Sequence, residues 1–152
     1  MTDPRDPRPP LASLVFGYGA MVPLVLAAIG AWILPRAWPV TAVHLAAIWA
    51  ALILAFVGGV RRGFGFATPG AGTAVEVAAG IAYFTLAGLG LVLMPYAWLA
   101  LWPLVVGFAA VALLDRRAAV RGLAPVHFAA LRPPQMLIGA AALAALWARV
   151  RF

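Results

Sequence analysis

The chain contains no cysteine, no lysine and no asparagine, and its only acids are Asp3, Asp6, Glu76 and Asp115. The first absence removes disulfides, thiolate metal sites and cysteine nucleophiles together, and with them any inference about redox compartment. With acids so scarce, no apolar segment carries a carboxylate pair for acid/base work. No nucleophile has a placed base and no HExxH occurs, so an enzyme is not expected and neither is a metal or other cofactor. No secretory signal is expected either. The first apolar run follows acids and prolines, is about twice the usual h-region and has no A-x-A site behind it, so it reads as a retained first span.

What is present is apolar. Hydrophobic residues make up 66% of the 152 positions and charged ones 10%, with a mean hydropathy of +1.03, which points to a bilayer rather than water. The formal charge of +7 comes from eleven basic residues, every one an arginine. A pI near 11.6 would argue for nucleic acid in a soluble protein. Here the arginines lie in short gaps between apolar runs, where membrane topology and anionic lipid headgroups account for them. Nucleic acid is therefore not expected as a partner. Arginine and alanine in place of lysine and asparagine is the usage of a GC-rich bacterial genome, and the inner membrane is the expected location.

Five spans emerge in an all-α bundle. Residues 1–10 hold four prolines and alternating charges, which predicts a disordered cytoplasmic tail ahead of a single transmembrane domain over 11–152. The spans are expected at 11–34, 40–60, 74–94, 97–114 and 134–150; the first, at roughly 36 Å, crosses hydrocarbon about 30 Å thick with tilt. Pro23 predicts a kink in the first, since it removes the hydrogen bond to the Gly19 carbonyl. Residues 63–73 read as a glycine-rich loop. Thr73 and Glu76 have capping-box spacing at the start of the third span. Asp115-Arg116-Arg117 is expected to stop the fourth. Residues 118–132 suggest a short interfacial helix with Pro125 at its first position. Pro133 and Pro134 then open the last helix, which crosses only if Arg149 and Arg151 snorkel.

Orientation follows from counting. With five crossings, Arg5, Arg8, Arg61, Arg62, Arg116, Arg117, Arg121 and Arg132 share one side, against Arg36, Arg149 and Arg151 on the other. The excess places the N-terminus in the cytoplasm. Trp32, Trp38, Tyr96, Trp98, Trp102 and Trp147 all fall at the opposite ends, as an interfacial belt requires. No internal repeat is visible, which weakens an inverted-repeat transporter reading.

The candidate site residues are few. Arg61 and Arg62 end the second span. They anchor it by charge and contact lipid phosphate, one of them pairs with Glu76 at the start of the next helix, or they join Arg116, Arg117 and Arg132 in a basic pocket for an anionic headgroup. Asp115 is neutralised locally by the two arginines after it, or bonds in tertiary fashion to Arg132 or the Arg61 side of the bundle. Gly58, Gly59 and Gly63, with Pro23, are expected at close helix contacts. GGVRRGFG lacks the strand-turn-helix setting of a phosphate loop. His44, one turn inside the second span, is an interhelical hydrogen-bonding residue, a proton- or quinone-site residue, or a ligand; His127, about 25 Å away by helical rise, cannot share a metal with it. Thr41, Thr85 and Gln135 can bond backbone or neighbouring helices.

Three pieces in order carry a resemblance. They are Gly17-Tyr18-Gly19 through Pro23, then Ala55-Phe56-Val57-Gly58-Gly59-Val60-Arg61 with Gly63, then Asp115 followed by Gly122, Pro125, Phe128, Leu131 and Arg132. Together they resemble a family of small bacterial membrane proteins that includes mitochondrial transmembrane protein 69. The family tends to have tryptophan where this chain has Arg62, and a Trp-Tyr pair where it has His127 and Phe128. The resemblance implies a polytopic protein of energy-transducing membranes and supplies no activity. The expected role is a non-enzymatic accessory or assembly subunit of a larger respiratory or photosynthetic complex, with lipids and other membrane subunits as partners. The alternatives are a small oligomeric transporter or channel using His44 or Glu76, and a haem or quinone site at His44.

Overall fold

The computed structural model describes residues 8–35, 38–67 and 74–151. It is all-helical over these residues: α1 (Leu11–Gly19), α2 (Val22–Ile33), α3 (Trp38–Ala67), α4 (Ala74–Val92), α5 (Ala97–Val120) and α6 (Phe128–Arg151). Taking α1 and α2 as one span, five helices are long and apolar enough to cross a membrane, as an integral membrane protein requires. Successive helices pack side by side, α2 closes the bundle against α6, and α3 crosses to α5. The expectations for residues 1–7, Arg36 and the Thr73 cap lie outside the described residues.

Pro23 does more than kink the first span. It stands in the first turn of α2, and the chain breaks at Ala20–Met21, bridged by Ala20 N–H to Phe16 O (3.2 Å) and Met21 N–H to Tyr18 O (2.9 Å). A proline at the start of a helix forfeits nothing, because that N–H would have no partner anyway. The break frees α1 to lean against α6 while α2 stays packed on both α3 and α6. Pro23 is itself exposed, so it breaks the helix and is not a packing residue.

Three sequence expectations need correction. The supposed loop at 63–73 is helical as far as Ala67, so α3 has 30 residues and is roughly 45 Å long, more than hydrocarbon needs. Two glycines cost the helix about 1 kcal/mol each, which is too little to end one already nucleated and packed over its previous turns. Next, α5 does not stop at Asp115. It runs through both arginines to Val120 and ends where Gly122, at φ 73°, accepts the left-handed turn. Leu123 N–H to Ala118 O (2.9 Å) and Gly122 N–H to Ala119 O (3.1 Å) complete a Schellman-type cap.

The third correction follows from the second. With 118–120 absorbed into α5, no separate interfacial helix forms, and α6 begins at Phe128, ahead of its prolines. Phe128 N–H to Pro125 O (2.9 Å) and Ala129 N–H to Val126 O (3.1 Å) start it. Pro133 and Pro134 lie inside the helix. They are tolerated because they fall within two turns of its start, where few hydrogen bonds are lost.

The core is built from stripes at helical spacing. Val43, Ala46, Ala47, Ala50, Leu54 and Val57 of α3 meet Ala79, Tyr83 and Ala87 of α4 and Leu101, Leu104, Phe108 and Val111 of α5. Glycine sets the closest approaches: a Cβ at Gly58 would sit 3.1 Å from the Gly80 carbonyl oxygen, and one at Gly139 only 2.4 Å from the Phe108 ring. Gly58 thus packs as expected. Gly59 and Gly63 do not, since a Cβ at either would meet no described atom within 4 Å.

The aromatic end is tied together by its cations. Trp102 and Trp147 meet edge to face at 5.3 Å, Trp32 Nε1 donates to Ala145 O (3.3 Å), and the Arg149 and Arg151 guanidiniums lie over Trp32 and Trp98. Arg149 Nε also donates to Ala31 O (3.1 Å). Both arginines at the end of α6 therefore rest on indole faces, at accessible sites where such contacts gain about 0.5–1 kcal/mol.

Candidate functional site

At the other end of the bundle, four charges meet. Arg61 of α3 reaches Glu76 of α4 through Nη2 (2.8 Å) and donates through Nη1 to Asp115 Oδ1 of α5. Arg132 of α6 approaches the other Asp115 oxygen, Nε to Oδ2 at 3.8 Å, and its guanidinium covers the Phe128 ring at 4.5 Å. Tyr83, fully buried on α4, donates its hydroxyl to Asp115 Oδ1 (3.2 Å) and lies under Arg61 at 5.9 Å. Four helices each supply a charge, and the charges sum to zero. The side chains of Arg61, Glu76 and Asp115 are 10% exposed or less.

Local spacing explains why these residues turn inward. Arg61 continues the buried α3 series through Leu54, Val57 and Gly58, and its neighbour Arg62, 100° around the helix, is exposed. Asp115 extends Leu104, Phe108 and Val111 on α5, and Glu76 begins the Ala79, Tyr83, Ala87, Gly90 stripe on α4. Glu76 also stands in the first turn of α4, where the helix dipole favours an acid. Sequence reasoning left open whether Arg61 pairs with Glu76 and whether Asp115 is neutralised by its neighbours. The geometry selects the tertiary pairs, and Asp115 is shared by Arg61 and Arg132. Arg116 and Arg117 are exposed and outside the network. Tyr83 was missed, although its position two turns after Glu76 on one face was a usable signal.

A cavity of about 10 Å³ borders Arg61, Glu76, Asp115 and Phe128, room for no more than one water. The larger space is a groove of about 690 Å³ between α1, α3 and the start of α6. Its walls are aliphatic and aromatic, with Phe16, Leu52, Phe56 and Val60 among them, and its polar side chains are Ser13, Arg132 and Gln135. Gln135 Nε2 donates to Gly17 O (2.8 Å) and holds α1 to α6, the backbone bond anticipated for it. Trp49 Nε1 donates to Ala20 O (2.8 Å) and ties α3 to the break in the first span.

His44 is half-buried and takes no part in the charge network. Among the described residues it has no hydrogen-bond partner, and no three His, Asp or Glu side chains converge as a metal site would need. Thr41 and Thr85 face outward. His127, in the turn before α6, packs edge to face on Phe128. Burial, and secondarily the charge of Arg132, hold its imidazole below the ordinary value of 6.5. No family model matches the chain, and no curated protein or solved structure does either.

Proposed function

We propose that the protein is a non-enzymatic subunit of the bacterial inner membrane, N-terminus in the cytoplasm, that packs against a larger respiratory or photosynthetic assembly. The observation that supports this reading is the mutual engagement of the intramembrane charges. Arg61, Glu76, Asp115 and Arg132 face one another across four helices, beside a void of about 10 Å³. Groups spent in that way hold helices in register and leave no acid, base or ion path open to a substrate. A transporter using Glu76 would need a polar cavity reaching it, whereas among the described residues the void beside it holds about 10 Å³.

Gly80, Gly90, Gly107 and Gly139 all lie against other helices of this chain, so they serve its own bundle first. Gly88 differs, with nothing described within 4 Å of a Cβ built there. Exposed apolar side chains, among them Phe16, Leu26 and Ile29 of α1–α2 and Ile81 and Phe84 of α4, offer surface to a partner. Purification from native membranes in mild detergent, followed by native electrophoresis and mass spectrometry, tests the reading. Co-migration with a larger membrane complex is expected, and recovery only as a free monomer overturns it.

A further inference from the structure

Gln135 presents an unanswered acceptor at the groove. It is 3% exposed, its Nε2 is committed to Gly17 O, and its Oε1 has no hydrogen-bond partner among the described residues. An amide oxygen buried without a partner costs about 1–3 kcal/mol. One turn earlier on the same helix face, Arg132 also lines the groove. Its Nε, held 3.8 Å from Asp115 Oδ2, likewise lacks a hydrogen-bond partner. An enclosed donor and an enclosed acceptor thus stand three residues apart on one face of α6, in side chains that line a largely apolar groove. At about 690 Å³ it has the size and lining of a small-molecule site, mostly hydrophobic with a few placed polar groups.

We propose that this groove binds a long-chain carboxylic acid, its head on Arg132 and Gln135 and its hydrocarbon chain along α3. The acid's carbonyl oxygen accepts from the Arg132 guanidinium and its O–H donates to Gln135 Oε1. The protonated form fits: apolar surroundings favour it, and the Asp115 carboxylate 3.8 Å from Arg132 offsets the guanidinium charge that would otherwise favour ionisation. A carboxyl group carries acceptor and donor on one carbon, which suits two partners one turn apart. A quinol has its two oxygens on opposite edges of a ring, and the phosphodiester group of a lipid carries no proton of its own for Gln135, its hydroxyl or ammonium donors lying several bonds farther out. Depth points the same way. Gln135 and Gly17 lie six or seven residues inside their helix starts, roughly 10 Å along the axis, below the level of lipid phosphates. The groove itself follows from Pro23, because the break at Ala20–Met21 lets α1 stand off α3. The inference does not depend on the subunit reading.

The test uses the full chain in phosphatidylcholine vesicles with palmitic acid carrying a photoreactive diazirine in its chain, followed by peptide mass mapping. Adducts are expected to concentrate on α1 and the 52–57 stretch of α3, and excess palmitic acid should displace them. Gln135→Leu should weaken labelling about tenfold. Leu52→Trp, at a groove position 58% exposed, should block it without touching the core. Leu91→Trp on α4, outside the groove, should label as the parent does. If Gln135→Leu does not fold, Leu52→Trp decides. Labelling spread evenly over all spans, parent-level labelling of Leu52→Trp, or equal displacement by phosphatidylglycerol or a quinol would overturn the proposal.

Discussion

Replacing Arg61 with methionine isolates what the charge network does. In the folded protein Arg61 touches Glu76 at 2.8 Å and also Asp115. With charge centres about 4 Å apart and an effective dielectric near 20, each pair gains about 4 kcal/mol. Burying three charges costs several kcal/mol per ion, so the intact network is close to neutral in net stability. The methionine variant forfeits both attractions but leaves two carboxylates buried, with Arg132 at 3.8 Å from one of them. The expected loss is therefore about 3–5 kcal/mol, the cost of a stranded buried charge. Unfolding in mixed micelles of rising dodecyl sulfate fraction, followed by circular dichroism, measures it. The double variant Arg61→Met, Glu76→Gln should recover most of that loss, because the charges that remain, Asp115 and Arg132, balance each other. A single-variant cost under about 1 kcal/mol, or a double variant equal to the sum of its singles, would refute this account.

Four more outcomes are expected. Gly139→Ala would drive a Cβ to within 2.4 Å of the fully buried Phe108 ring and should lose about 1–3 kcal/mol in the same unfolding assay. Gly59→Ala, with open space around it, should be neutral or stabilise by up to about 1 kcal/mol. Gly122→Ala, at φ 73°, should lose about 1–2 kcal/mol through backbone strain alone. For His127, whose folded value lies below 6.5, the unfolded chain takes up its proton first as pH falls. Stability should thus be level above about pH 7, decline as pH falls from 6.5 to the depressed folded value, level off below it, and lose that slope in His127→Gln.

Much of the bundle was legible beforehand. Apolar runs of about 20 residues can satisfy their backbone in lipid only as helices, so the number and order of spans follow from composition. Boundaries were read less well, and for one reason. Charges and glycines were taken as stops, yet Asp115-Arg116-Arg117 and Gly63 are all compatible with helical φ and ψ. Only a residue that changes the backbone ended or broke a helix, as Gly122 did at the end of α5 and Pro23 did between α1 and α2. The site shows the same division. Spacing of three and four puts Arg61, Glu76 and Asp115 on the buried faces of their helices and Arg62 off one, a pattern present in the sequence but not used.

The linear sequence by itself determined a five-span helical membrane protein with arginines at one end and tryptophans at the other, because transfer of side chains between water and lipid depends on residue type and little else. Which arginine meets which acid was decided only in three dimensions. Arg61 and Asp115 are 54 positions apart, and their pairing depends on how four helices rotate about their axes. That rotation is set by contacts such as Gly58 on Gly80 and Gly139 on Phe108. The groove beside Gln135 has the same origin, since it is the space left when α1, beyond the break in the first span, leans on α6 and stands off α3.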